Sequence, residues 1–197
     1  MPRVRRIGLV FGLGFDFCRD ILRGIKTFAE TRPDWIFTPI APEPRSVASV
    51  GKLGLDGLIA HVSTEALAVA LLRLGRPVVN VSGVLPELPF PRVLVDHQAV
   101  GRLAAEHLLD RGIRHFGFVG YPDHAFSVER ERGFRKQLEE AGFGVSSYHA
   151  KVPWRRDPTG LWTWNQDLPE WLAGLSCPVG ILASHDPQGV QVSEACR

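Results

Sequence analysis

The feature that most constrains this chain is a regular alternation of short apolar runs with segments of helical periodicity. The first run, residues 7–11, is continuously apolar, which is typical of a strand covered on both faces. After Asp16 a helix is predicted whose buried face carries the apolar residues Phe17, Ile21, Ile25, Phe28 and Ala29, until Pro33 ends the pattern. The same unit then repeats along the chain. Such alternation predicts an α/β fold with mainly parallel sheets, right-handed crossovers and helices on both faces.

The individual elements follow from this periodicity and from their end signals. The predicted strands are residues 7–11, 35–40, 58–62, 78–81, 92–95, 116–119, 147–152 and 179–183. Helices are predicted after Asp16, Thr64 and Asp96, over residues 127–141 and 166–174, and from Asp186 onward. Residues 41–45 contain two prolines and are predicted to form a loop.

A proline-rich stretch without helical periodicity, residues 83–91, divides the alternation into two similar halves. We therefore predict two α/β lobes, residues 1–96 and 97–197. A chain of 197 residues is long enough to bury a core in each of them.

Composition excludes several classes of protein. The 23 basic and 21 acidic residues are too nearly balanced to predict a surface that coats nucleic acid. The three cysteines are far apart, and no histidine pattern has zinc-ligand spacing, so we predict neither a disulfide scaffold nor a metal site. The apolar run after Arg3, Arg5 and Arg6 contains three glycines and lacks a signal-peptide cleavage site, and no stretch is long enough to span a bilayer. These features predict a cytoplasmic protein.

Candidate ligand-binding residues follow the predicted strands, because parallel α/β sheets bind ligands at the carboxyl ends of their strands. The polar residues at these ends are His61, Ser63, Ser82, Asp96, His97, Tyr121, Asp123, His124, residues 129–132, His185 and Asp186. Carboxylates and a guanidinium suit a hydroxyl-rich ligand such as a sugar, which also needs apolar walls. Candidate walls are Phe15, Phe17, Phe126, Trp154, Trp162 and Trp164.

Each candidate also has a purely structural interpretation. Asp96 and Asp186 stand where helices begin, so either carboxylate could serve only as an N-cap. Arg130 lies in a run of four charges, which is typical of a solvated helix face, and His107 lies on an apolar stripe as a packed core residue would. Both interpretations stay open at this point.

The sequence offers no positive sign of catalysis. Gly12 and Gly14 begin a dinucleotide-binding fingerprint, but Phe17 occupies its third glycine position. Neither a phosphate-binding loop of the GxxxxGK[ST] type nor a GxSxG elbow is found in the sequence. We therefore predict no enzyme activity and no cofactor.

Two adjoining blocks carry a family resemblance. Residues 96–108 (DHQAVGRLAAEHL) and 111–120 (RGIRHFGFVG) resemble the interlobe segment of lac-repressor-type sensor domains, whose pattern is D-N-x-x-x-G, x-x-A-x-x-H-L, a glycine and a strand. Residues 22–25 (LRGI), 56–60 (DGLIA), 77–79 (PVV) and 178–183 (PVGILA) fit as well. In this order the blocks resemble the xylose-operon regulator branch, in which a type 1 periplasmic-binding-protein-like sensor precedes an AraC-type helix-turn-helix domain.

The resemblance implies a set of sugar contacts. The aspartate that opens the interlobe helix is Asp96, the arginine of the R-x-x-G stretch is Arg130, and the aspartate after the later strand is Asp186. The loop after the first strand would contribute Phe17 and Arg19. Histidines replace the usual Asn after Asp96 and the usual Asn or Thr before Asp186, which leaves the identity of the sugar open.

The implied function is sensing of xylose or a related sugar for a DNA-binding transcription regulator of sugar catabolism. The resemblance further implies a homodimer in the full-length parent and DNA contact only through a domain outside these residues. Because the family continues with further strands, the chain is expected to be a fragment whose second lobe is incomplete. Two alternatives are a periplasmic sugar-binding protein for transport and a nucleotide-dependent α/β enzyme.

Overall fold

The computed structural model describes residues 4–14, 16–85, 87–151 and 165–197. The chain forms two compact units, Met1–Leu94 and Val95–Arg197, whereas the sequence places the division after residue 96. Each unit has its own sheet, and all strand pairs in both sheets are parallel. This confirms the predicted α/β class.

The first unit is built on a four-stranded sheet in the order β2-β1-β3-β4. Its strands are β1 (Arg5–Val10), β2 (Trp35–Ile40), β3 (Gly57–Ala60) and β4 (Val78–Asn80). Its helices are α1 (Asp16–Ala29), α2 (Pro44–Ser49) and α3 (Glu65–Arg73), and α2 continues into a short 3-10 helix, Val50–Leu53. Val10, Leu58 and Leu67 lie in a core of buried aliphatic side chains between sheet and helices.

End signals define α3 as the sequence predicts. The Thr64 hydroxyl accepts a hydrogen bond from the Leu67 N–H at 3.2 Å and so caps the helix. Gly75, with a φ of 60°, follows the last turn in the left-handed conformation that glycine adopts readily.

The second unit is built on a three-stranded sheet in the order β6-β5-β7. Its strands are β5 (His115–Gly120), β6 (Ser146–His149) and β7 (Val179–Ala183). Its helices are α4 (His97–Asp110), α5 (Ala125–Glu140), α6 (Leu168–Ala173) and α7 (Asp186–Ala195). Phe116, Phe118 and Phe134 form a core with α4 and α5, and Val119 and Tyr148 lie in a second buried cluster.

Four expectations about these elements need correction. Residues 92–95 form no strand, since Arg92 makes only an isolated bridge to β4. The predicted loop at residues 41–45 gives way to α2 because Pro44 occupies the first helical turn, where proline is tolerated.

The buried face of α1 centres on Cys18, whereas Phe17 and Phe28 are 43% and 46% exposed. His107 is exposed, and its Nε2 accepts a hydrogen bond from Arg111 at 2.8 Å.

None of the helices described is long and apolar enough to cross a membrane. Within the same residues, no group of three His, Cys, Asp or Glu side chains is placed so that it could hold a metal ion.

Candidate ligand-binding site

Arg130 is the central polar group at the carboxyl ends of β5 and β7. It projects from the second turn of α5, and its Nη1 donates a hydrogen bond to the Ser184 carbonyl oxygen directly after β7. Its Nε lies 3.4 Å from His97 Nδ1, at the start of α4. The guanidinium carbon lies 5.5 Å from the centroid of the Phe126 ring, within cation–π range. Arg130 thus connects elements from three parts of the second unit.

Aromatic and imidazole rings surround this arginine. His124 stacks on Phe126 at 5.6 Å, and His185 meets the edge of Phe126 at 5.9 Å and of Tyr121 at 5.4 Å. The His97 ring lies 6.0 Å from Phe126. We call Tyr121, His124, Phe126 and His185 the ring cluster. It combines flat apolar faces with imidazole nitrogens, which is a suitable lining for a sugar.

Burial favours the uncharged form of the three histidines in this region. Burial lowers the pKa of His97 and of His124 below the ordinary value. Burial lowers the pKa of His185 to about 4, and the nearby His124 and Arg130 act in the same direction. Burial also lowers the pKa of Arg130, while the charge of Asp186 opposes this change. The site therefore offers neutral imidazoles beside one guanidinium that stays charged.

The ring cluster and the neighbouring Gln188 contain buried polar atoms without hydrogen-bond partners. Among the described residues, these side-chain atoms are His124 Nδ1, His185 Nδ1 and Gln188 Nε2. The Gln188 side chain is fully buried, and its Oε1 accepts a hydrogen bond from the Ser184 hydroxyl. Unpaired buried polar groups are uncommon and unfavourable, and their concentration at the carboxyl edge of one sheet is typical of a functional site.

The two aspartates lie at this edge as well. Asp96 is the N-cap of α4, where its Oδ1 accepts the Ala99 N–H at 2.9 Å. Asp186 is the first residue of α7, and the N-cap position before it is held by His185, whose side chain makes no capping hydrogen bond. Both residues are exposed, so their carboxylates can meet a ligand. The capping role is thus present for Asp96, and a ligand role stays a prediction for both.

The charged run around Arg130 is largely engaged with the rest of the unit, unlike a solvated face. Burial opposes ionisation of Glu131, but hydrogen bonds from Ser147, His149 and Arg135 outweigh it and lower the pKa of this carboxyl group. The bonds from Ser147 and His149 connect α5 to the edge strand β6. Of the four charged residues 129–132, only Arg132 is exposed, and it pairs with Glu129 at 2.6 Å.

In the first unit, Phe17 follows β1 and His61 follows β3. The Phe17 ring meets His61 edge-on at 5.9 Å, and burial lowers the pKa of His61. Arg19 is engaged locally, because Nη1 donates to the Leu13 carbonyl oxygen at 2.7 Å and Nη2 pairs with Asp16. The first unit therefore offers an aromatic and imidazole contact here, while Arg19 is tied to its own loop.

The predicted site residues are divided between the two units. Within the second unit, Asp96, Arg130 and Asp186 lie at the carboxyl edge of the sheet, whereas Phe17 and Arg19 lie in the first unit. The proposed walls Phe15, Trp154, Trp162 and Trp164 lie outside the described residues. The residue set implied by the resemblance leaves out His124 and His185, although the strand-end analysis lists both. Neither line of reasoning singles out Gln188, which lies in the first turn of α7 just after β7, and that position is the signal that could have found it.

Comparison with known proteins shows which fold the chain has. Residues 105–197 match the family described as periplasmic binding protein-like domain. Solved structures with type 1 periplasmic-binding-protein-like architecture align with 96% or more of the chain, among them a LacI family transcriptional regulator from Enterococcus faecium with bound ribose. That structure is 22% identical, has a TM-score of 0.68, and is matched over 97% of this chain and 71% of its own. The chain therefore has the type 1 periplasmic-binding-protein-like fold.

The proteins to which the chain is similar include regulators of xylose genes. The chain is 26% identical over 205 residues to the xylose operon regulatory protein of Escherichia coli (strain K12), with 98% of this chain and 50% of that protein covered. The structure of the xylose-binding transcription activator xylR has a TM-score of 0.80 and 22% identity, with 99% of this chain and 50% of that chain covered. The chain thus spans about half the length of the xylose regulators that it resembles.

Proposed function

We propose that this chain is the sugar-sensing part of a transcription regulator and that it binds D-xylose or a related pentose. The observation that carries the proposal is Arg130, held over Phe126 by Ser184 and His97 and set beside Asp186 at the carboxyl ends of β5 and β7. A sugar hydroxyl can accept from the guanidinium and donate to a carboxylate, while its apolar face stacks on a ring.

The similarity to xylose regulators supports this ligand class. The relatives described above are xylose operon regulators and a xylose-binding activator, and one structural neighbour holds ribose. They are named as regulators and not as enzymes, so we propose that the chain binds its sugar without transforming it. D-xylose incubated with the chain should therefore remain unchanged when it is followed by proton NMR.

The proposed setting is a cytoplasmic homodimer that contacts DNA through a helix-turn-helix domain beyond these residues. A sugar that binds one conformation of the sensor better than another shifts the population between them, and a DNA-binding domain can report that shift. For residues 1–197 alone we expect no sequence-specific operator binding. A salt-resistant mobility shift by the chain alone would contradict this part of the proposal.

Titration calorimetry with D-xylose, D-ribose and D-glucose tests the ligand directly. We expect a pentose to bind, and Arg130→Ala to weaken that binding by about tenfold or more, because a charge-assisted hydrogen bond is lost. The exposed Lys136 gives a control on the same helix, since Lys136→Ala removes a positive charge that pairs only loosely with Glu140, at 4.0 Å. Absence of binding by every sugar, or equal affinities in wild type and Arg130→Ala, would contradict the proposal.

Asp96 requires a variant that separates its two possible roles. Asp96→Asn keeps a good N-cap for α4 but removes the carboxylate charge. If the carboxylate binds the sugar, affinity falls while the thermal midpoint changes little. Glu106→Gln is the matched control, because Glu106 is an acidic residue of α4 that pairs with Arg102 at 2.9 Å. Unchanged affinity in Asp96→Asn would leave Asp96 with the capping role only.

A further inference from the structure

Helices α4 and α5 touch backbone to backbone at two buried glycines. A Cβ atom added to Gly101 would lie 2.0 Å from the Arg130 carbonyl oxygen and 2.6 Å from the Phe134 nitrogen. A Cβ added to Gly133 would lie 2.0 Å from the Gln98 carbonyl oxygen. Both distances are far below van der Waals contact, and in both cases the neighbour is backbone and cannot simply rotate away. The crossing therefore requires glycine at both positions.

One of these contacts falls on Arg130 itself. The carbonyl group that packs against Gly101 is that of Arg130, whose guanidinium is the central group of the proposed site. Any larger residue at position 101 must push this turn of α5 away from α4 by about an ångström or more. The position of the Arg130 backbone is thus set by the absence of a side chain on another helix.

A polar contact beside the glycines fixes the same two turns. Gln98 Nε2 donates to Glu129 Oε2 at 2.5 Å, and Glu129 Oε1 accepts from Arg132 at 2.6 Å. Gln98 follows His97, and Glu129 precedes Arg130, so this bond links the neighbours of the two residues that meet at 3.4 Å. The first turn of α4 and the second turn of α5 are consequently held by glycine contact and by hydrogen bonding together.

We propose that Gly101 and Gln98 are positioning residues for Arg130. Gly101 lets the Arg130 backbone pack closely against α4, and Gln98 holds the neighbouring Glu129. Together these contacts order the Arg130 guanidinium over Phe126 before the sugar binds. Ordering a long flexible side chain in advance increases affinity, because less conformational entropy is lost on binding. The inference rests on the proposed function, since it gives these residues a role in sugar binding in addition to helix packing.

A double-mutant cycle distinguishes positioning from simple packing. In the full 197-residue chain, Gln98→Ala should weaken D-xylose binding by about fivefold, as measured by calorimetry. In an Arg130→Lys background the same substitution should change affinity by less than about 1.5-fold, because the guanidinium that it positions is gone. Glu106→Ala, which breaks an exposed pair on α4 with Arg102, is the matched control and should leave affinity unchanged.

A readout without ligand keeps the two proposals separate. In a 15N-labelled chain, the Arg130 Nε–H signal is assigned by its loss in Arg130→Lys. We expect Gln98→Ala to shift this signal and to speed its solvent exchange, and Glu106→Ala to leave it in place. Gly101→Ala should have the larger effect if it folds, with Gly24→Ala as its control, because a Cβ at Gly24 meets no atom within 4 Å.

The outcomes are distinct. If no sugar binds the wild type, the proposed function fails, while the Arg130 signal still decides whether Gln98 positions this side chain. The inference is overturned if Gln98→Ala leaves the Arg130 signal unmoved, or if it weakens sugar binding equally in both backgrounds.

Discussion

Stability in acid should depend on His185 in a way that its position in the ring cluster predicts. Burial holds the pKa of His185 at about 4, whereas an unfolded chain leaves it at its ordinary value of 6.5. Near pH 8 the imidazole is neutral in both states and contributes almost no pH dependence. As the pH falls from 6.5 towards 4, the unfolded chain takes up a proton that the folded chain does not, so folding becomes less favourable.

The size of this effect follows from the two pKa values. Between pH 8 and pH 5, His185 alone should reduce the free energy of unfolding by about 2 kcal/mol. Glutamine cannot take up this proton, so His185→Gln should lose less stability than the wild type over the same range. The substitution also changes packing against Tyr121 and Phe126, but that change is the same at every pH and cancels from the comparison.

Urea unfolding followed by circular dichroism at pH 8, 6.5 and 5 measures the difference. The expected result is a curve of stability against pH that is flatter for His185→Gln than for the wild type by about 2 kcal/mol at pH 5. His115→Gln is the matched control, since His115 is an exposed histidine of the same unit. If wild type and His185→Gln lose equal stability within about 0.5 kcal/mol, the imidazole is not held neutral and the reasoning is wrong.

Three further predictions concern the scaffold. Asn80→Ala should lower the free energy of unfolding by about 1–3 kcal/mol, as measured by urea unfolding. The reason is that Asn80 Oδ1 accepts from the N–H groups of Val62 and Ser82, which would be left unpaired. Thr64→Ala should cost about 1 kcal/mol by the same assay, because α3 loses its cap, whereas Thr64→Ser should cost much less. Phe134→Ala should cost about 3–5 kcal/mol and lower the thermal midpoint, because a fully buried ring is removed; a cost below 1 kcal/mol would show that the core is misplaced.

The sequence predicts the fold well because its strongest local signals agree with the final packing. Thr64 and Gly75 bound α3 by mechanisms that depend on neighbouring backbone only, and the strand over residues 35–40 is predicted with the bounds that the structure gives it. Elements whose ends depend on tertiary contacts are predicted less well. The segment at residues 92–95, for example, has the composition of a strand but makes only one bridge with β4.

The candidate site could be predicted only in outline. Position after a strand indicates which residues reach the sheet edge, and this brings Arg130 and Asp186 into consideration. Sequence spacing does not reveal that His124 and His185 pack on the same ring of Phe126. It also cannot show that Gly101 touches the carbonyl of Arg130, 29 positions away, because that contact depends on how closely two helices cross.

The most direct test of sugar binding at the carboxyl edge of the second unit is amide chemical-shift mapping with D-xylose on the 15N-labelled chain. The account predicts ligand-dependent shifts for Tyr121, Arg130 and His185 that saturate together at one affinity. Residues at the opposite edge of the same sheet, such as Ser146 at the start of β6, should stay unchanged. Shifts confined to that opposite edge, or no shifts at saturating sugar, would contradict the account.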